Sequence, residues 1–121
     1  DTSALIDALT GPKRSAAKLR SLIESGERLT TSTLVLYEWW RVPRSEQELR
    51  AQEALLPAAR AVQFGAEEAR VAARLYGAVS RSRGRELDLA IAACAITQGA
   101  ALWSLNRDDF GDVPGLNLAA L

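Results

Sequence analysis

The chain has 121 residues, 48% hydrophobic and 25% charged, which suits a single domain with a buried core. Lys plus Arg is 15 and Asp plus Glu is 15, so a net charge of zero argues against a general polyanion binder but leaves room for a local basic patch. No apolar run nears the roughly 20 residues that span a bilayer, and Asp1-Thr2-Ser3 shows no basic leader, so the expectation is a cytoplasmic domain with no membrane attachment.

Thr2 to Leu9 reads as a short helix, stopped by Gly11-Pro12. Ser15 is placed to cap a second helix running to about Ser25, with Ala16, Leu19, Leu22 and Ile23 at helical spacing and Gly26 at its end. Arg28-Leu29-Thr30-Thr31 is a short strand candidate. It feeds Ser32, the expected cap of a helix from Thr33 to Arg41 that Pro43 closes. Ser45 to Leu56 and Ala66 to about Ser82 follow as amphipathic helices, with a short strand around Ala61 to Phe64 between them. Glu86 to Gln98 is a near-continuous apolar helix ended by Gly99. Ala101-Leu102-Trp103 reads as a buried strand, and Leu116-Asn117-Leu118 as a shorter last one. Short apolar strands alternating with helices imply an α/β domain with a mainly parallel sheet, whose sites lie at the carboxyl ends of strands.

The chain has no histidine, which removes histidine-based acid–base and nucleophile chemistry and histidine zinc sites. Its one cysteine, Cys94, sits among Ala92, Ala93, Ala95 and Ile96, where a small buried thiol is expected. Any enzyme here works with carboxylates, hydroxyls, arginine and a hard cation.

The informative acids interrupt apolar runs. Glu38 is the only charge in Leu34-Val35-Leu36-Tyr37-Glu38-Trp39-Trp40, and Asp88 lies in Leu87-Asp88-Leu89-Ala90-Ile91. An unpaired buried carboxylate costs several kcal/mol even after relaxation. Each acid also has a plainer reading. Asp88 falls in a first helical turn, where a carboxylate gains about 0.3–1 kcal/mol from the helix dipole. Glu38 could pair with Arg41, Asp1 could simply cap the first helix, and Asp108 and Asp109 could be turn residues. A parallel sheet would bring Asp1, Glu38, Asp88 and the Asp108-Asp109 pair together. Several acids converging without lysine or histidine call for a divalent cation with oxygen ligands, Mg²⁺ or Mn²⁺.

In this order, the segments Asp1-Thr2-Ser3-Ala4-Leu5-Ile6-Asp7, Ser32-Thr33-Leu34-Val35-Leu36-Tyr37-Glu38, Asp88-Leu89-Ala90-Ile91-Ala92-Ala93-Cys94-Ala95 and Ser104-Leu105-Asn106-Arg107-Asp108-Asp109-Phe110 resemble the PIN-domain ribonucleases. The likeness is strongest to the VapC-type toxins of bacterial toxin–antitoxin pairs and spans residues 1–121 as one domain. It implies a three-layer α/β/α sandwich and an acidic pocket holding Mg²⁺ or Mn²⁺. It also implies a first strand of a few apolar residues before Asp1. Asp1 and Asp88 would then be the principal metal ligands. Glu38 would be the third acid and Asp109, ahead of Asp108, the fourth, with Thr2, Ser3 and Ser104 as pocket hydroxyls. The implied activity is endoribonuclease cleavage of RNA phosphodiesters by metal-activated water, leaving 5′-phosphate and 3′-hydroxyl ends. One metal or two stays open.

Basic character is almost all arginine, with only Lys13 and Lys18 besides. Arg81, Arg83 and Arg85 flank Gly84 just before the Asp88 helix and are candidate RNA contacts, since arginine suits bidentate phosphate binding. Tyr37, Trp39 and Trp40 cannot all face inward on one helix. At least one is expected at an interface, with a second copy in a homodimer or with a cognate antitoxin. A receiver domain also gathers acids around Mg²⁺ but needs a late lysine, and none follows Lys18. A flap-type DNA nuclease would need further DNA-binding elements. The remaining alternative is a PIN-like scaffold without catalysis, against which the presence of Asp1, Glu38 and Asp88 counts.

Overall fold

A computed structural model describes residues 1–10, 12 and 15–120. Among them the helices are α1 (Thr2–Leu9), α2 (Ala16–Glu24), α3 (Thr33–Trp40), α4 (Glu46–Leu55), α5 (Ala66–Ala78) and α6 (Glu86–Thr97). Strand β1 (Ala101–Leu102) pairs in parallel with β2 (Asn117–Leu118), Ala101 opposite Asn117 and Leu102 opposite Leu118. The class is α/β with a parallel sheet. No helix among the described residues is long and apolar enough to cross a membrane.

Local chemistry sets several helix ends. Asp1 caps α1, accepting from the amides of Ser3 and Ala4. Ser32 caps α3 through the Val35 amide at 3.2 Å. At α4, Ser45 accepts from the Glu48 amide at 3.1 Å while Glu48 accepts from the Ser45 amide at 2.8 Å, so two otherwise orphaned donors satisfy each other's residues. Helices α2 and α6 end alike. Gly26 and Gly99 take positive φ, 85° and 62°, which costs glycine no Cβ clash. Behind Gly99, the amides of Gly99 and Ala100 bond back to Ile96 and Ala95, each at 3.0 Å.

Several expectations need correction. Ser15 precedes α2 but makes no side-chain cap bond. Its amide and hydroxyl both bond to the Asp7 carboxylate instead, tying α2 to α1. The stop assigned to Gly11 lies outside the described residues. The strands expected at 28–31 and 61–64 reduce to one parallel bridge between Ser32 and Val62. Arg28 and Thr30 on one side, and Gln63 and Phe64 on the other, are exposed, so no alternating buried face extends the pairing. A 3₁₀ turn at Ala58–Arg60 also uses part of the approach. Helix α5 stops at Ala78, not near Ser82, because Val79 turns extended and enters the core. Trp103 and Leu116 lie just outside their strands.

The core is built around α6. Leu89 to Cys94 are all buried, and Leu89, Ile91, Ala92 and Ala93 pack with Leu5, Val35, Trp39, Leu75 and Phe110. Each large apolar side chain so buried contributes about 1.5–3 kcal/mol. Only Ala and Cys occupy positions 92 to 94, which lets neighbouring elements approach α6 closely. Cys94 is a buried thiol, pushed up to about 11 by burial. An apolar cavity of about 520 Å³ lies between the 30–32 segment and β1, with Asp1 among its lining residues. On α3, Trp39 is fully buried, whereas Tyr37 and Trp40 are exposed.

Candidate active site

Where β1 ends, the chain delivers Trp103 and Ser104 beside the start of α1. The main-chain nitrogen of Asp1 donates to the Trp103 carbonyl. Ser104 is buried, and its Oγ donates to Asp1 Oδ2 at 3.0 Å while accepting from the Asn106 amide at 2.9 Å. The other carboxylate oxygen, Oδ1, accepts from Ser3 Oγ at 2.6 Å and from the Ser3 amide at 3.1 Å. Ser3 Oγ in turn accepts from the Leu105 amide at 3.0 Å. Both oxygens of Asp1 are therefore aimed by a network joining α1 to the loop after β1.

Glu38 enters from α3. Thr2 Oγ1 donates to Glu38 Oε1 at 2.5 Å, and Arg41 approaches Oε2 at 3.4 Å. Arg41 is half exposed, so this pair is worth at most about 1 kcal/mol. The Arg41 pairing and a place beside the other acids thus coexist. All three expected pocket hydroxyls, Thr2, Ser3 and Ser104, lie on carboxylates of this group.

Asp88 occupies the first turn of α6. Its carboxyl sits above the usual carboxylate range because burial strips its water, and because Asp109 and Glu38 add negative charge nearby; Arg85 partly offsets this. Asp109 belongs to an exposed 3₁₀ turn, Arg107–Asp109, after β1. Asp109, and not Asp108, is among the groups acting on Asp88.

Among the described residues, no three Asp, Glu or Cys side chains are grouped tightly enough to enclose a metal ion as they stand. Mg²⁺, however, keeps several of its waters and needs only one or two direct carboxylates. An all-oxygen donor set with repelling charge fits a hard cation held partly through water.

The three loop arginines differ. Arg81 and Arg83 are exposed, and Arg81 has a positive φ of 54°. Arg85 instead turns inward to Asp112, its Nη1 donating to Oδ2 at 2.9 Å and its Nη2 to Oδ1 at 2.6 Å. Asp112 had no sequence signal: it stands in an ordinary turn, 27 residues from its partner.

A family model described as PIN domain matches residues 1–116. The chain is 36% identical over 118 residues to Ribonuclease VapC19 of Mycobacterium tuberculosis, in two strains, covering 96% of this chain and 94% of the relative. Its fold is similar to the crystal structure of VapBC2 from Rickettsia felis bound to a DNA fragment from their promoter. That likeness has a TM-score of 0.73, 22% identity, and covers 98% of this chain and 94% of the other.

Proposed function

The chain belongs to the PIN-domain family, and from that premise we propose that it is a VapC-type toxin, an endoribonuclease that hydrolyses RNA phosphodiesters with Mg²⁺ or Mn²⁺. The observation that carries the reading is the hydrogen-bond network by which Ser3 and Ser104 aim both oxygens of Asp1 and Thr2 holds Glu38 beside it, with Asp88 close enough to feel the charge of Glu38 and Asp109. A hard cation with oxygen ligands would balance that gathered negative charge.

Asp1 and Asp88 would hold the metal directly, with Glu38 and Asp109 acting directly or through water. A bound Mg²⁺ or Mn²⁺ would supply an activated water and stabilise charge on the leaving oxygen without any histidine. The chain's own part is positional. Ser3 and Ser104 fix the Asp1 oxygens, Thr2 and Arg41 fix Glu38, and α6 presents Asp88 at its positive end. Hydrolysis by water leaves 5′-phosphate and 3′-hydroxyl ends. Arg81 and Arg83, exposed in the loop before α6, would guide the RNA backbone. We read the chain as a cytoplasmic toxin neutralised by a cognate antitoxin, a pairing that the VapBC2 neighbour supports, and exposed Tyr37, Trp40 and Val42 form the surface we assign to the antitoxin or to a second copy in a homodimer.

The test is cleavage of total bacterial RNA by the purified chain, with ends mapped, in Mn²⁺ or Mg²⁺, in chelator, and with Asp88→Asn. Discrete metal-dependent cuts bearing 5′-phosphates, lost in the variant, are expected. Cuts that survive both chelator and Asp88→Asn would sink the mechanism.

A further inference from the structure

Arg85 stands immediately before α6, three residues ahead of Asp88, and all four of its terminal-nitrogen bonds serve to join segments. Besides the fork on Asp112, its Nη1 donates to the Ser80 carbonyl at 3.2 Å and its Nη2 to the Asp109 carbonyl at 3.0 Å. One guanidinium thereby links the end of the α5 segment, the start of α6 and the turn at 109–112. Most surface ion pairs contribute little, but a bidentate arginine–carboxylate fork is the strong geometry. Here the fork is also mostly enclosed on the arginine side, with 21% of that side chain exposed.

The Asp109 carbonyl bond decides what this clamp does. Asp109 is exposed and its charge acts on Asp88, while the inner edge of the same turn is seated by buried Phe110. With Phe110 as the pivot, the Arg85 bond to the Asp109 carbonyl restrains the outer, carboxylate-bearing edge from turning away from Asp88. We infer that Arg85 and Asp112 form a positioning pair that fastens the Asp109 turn to the first turn of α6, keeping Asp109 on the Asp88 side of the pocket where both carboxylates can serve one hydrated cation. Arg85 is then a positioning residue and not an RNA contact, since its four terminal N–H donors are committed inside the protein. The inference rests on the metal-dependent reading above.

Charge and position predict opposite signs, which makes the pair testable. Arg85→Gln removes a positive charge from the neighbourhood of the acids. By charge alone Mn²⁺ would bind more tightly; with the clamp lost it binds more weakly, by about 10-fold, the usual scale for a residue that orients ligands. The measurement is calorimetric titration of folded protein with Mn²⁺ alone, for the wild type, Arg85→Gln, Asp112→Ala and the double variant. Weaker binding in both single variants, with the double no worse than either, is expected. In RNA cleavage kcat should fall and KM stay near the wild-type value. Hydrogen exchange at the amides of 109–113 in metal-free protein should quicken in both variants. Unchanged or tighter Mn²⁺ binding in Arg85→Gln, or a rise in KM alone, overturns the clamp. So does exchange that is unchanged at 109–113. A folded wild type that neither binds Mn²⁺ nor cuts RNA overturns the nuclease reading instead, and the exchange experiment still decides whether the clamp exists.

Discussion

The two sides of the acidic pocket use the same residue type under opposite conditions. Asp1 receives hydrogen bonds on both oxygens, from Ser3 and Ser104, and caps a helix as well. Asp88 is half-buried beside like charge, with only the outlying Arg85 to offset it. The Asp1 side is therefore organised by hydrogen bonds that the protein itself supplies. The Asp88 side carries an imbalance that the chain does not itself resolve. Stability and function are combined in Asp1 and separated in Asp88, and substitutions at the two should behave differently.

The largest effect is expected at Asp88. Asp88→Asn should cut RNA cleavage roughly 100-fold or more, as expected for loss of a direct metal ligand. The same variant should be at least as stable as the wild type in chelator. The sign follows from linkage. A carboxyl raised above its ordinary 3.8 on folding holds its proton more tightly in the folded chain. Its contribution is thus fully present below about that pH and is lost as pH rises through the folded value. Thermal melts of metal-free wild type and Asp88→Asn should diverge in favour of the variant as pH rises from below 3.8 toward neutrality. A variant that loses ground to the wild type over that rise would break the contrast with Asp1.

Metal should next restore what the Asp88 side lacks. At a hundred times its Kd, Mn²⁺ bound only to the folded chain would add about 2.7 kcal/mol. Melting with increasing Mn²⁺ should therefore raise Tm by several degrees in the wild type and hardly at all in Asp88→Asn. Equal shifts in both proteins would place the cation elsewhere.

The Asp1 side was also the more legible in sequence, for a physical reason. Its capping residue, hydroxyls and helix are consecutive, so local chemistry announces them. The same holds for Ser32, Ser45, Gly26 and Gly99, whose preferences act within one helical turn. Ser15 shows the limit: a capping residue by type, it is drawn off by Asp7, which lies eight positions earlier. The two-residue strands and the single Ser32–Val62 bridge are too short for periodicity to register, so their extents were overdrawn at 28–31 and 61–64. Arg85 illustrates the same boundary from the other side. Its charge was evident, but its partner Asp112 is a tertiary neighbour that only the fold supplies.

The smallest effect concerns the network around Asp1 and tests whether it only stabilises or also orients. Ser104→Ala removes the donor to Asp1 Oδ2 and the acceptor for the Asn106 amide, at a buried position with little space for compensating water. A single hydrogen bond contributes about 0.5–1.5 kcal/mol, and a group left unsatisfied costs more, so denaturant unfolding should show a loss of about 1–2 kcal/mol. Asp1 would keep its bonds to Ser3, and its carboxylate would remain near its place but free to rotate about one fixed oxygen. Cleavage should then fall about 10-fold, far less than in Asp88→Asn, with Mn²⁺ still raising Tm. If Ser104→Ala lost stability without losing rate, the hydroxyl would serve the fold alone. Asp1 would then be held in its working orientation by the helix cap and Ser3.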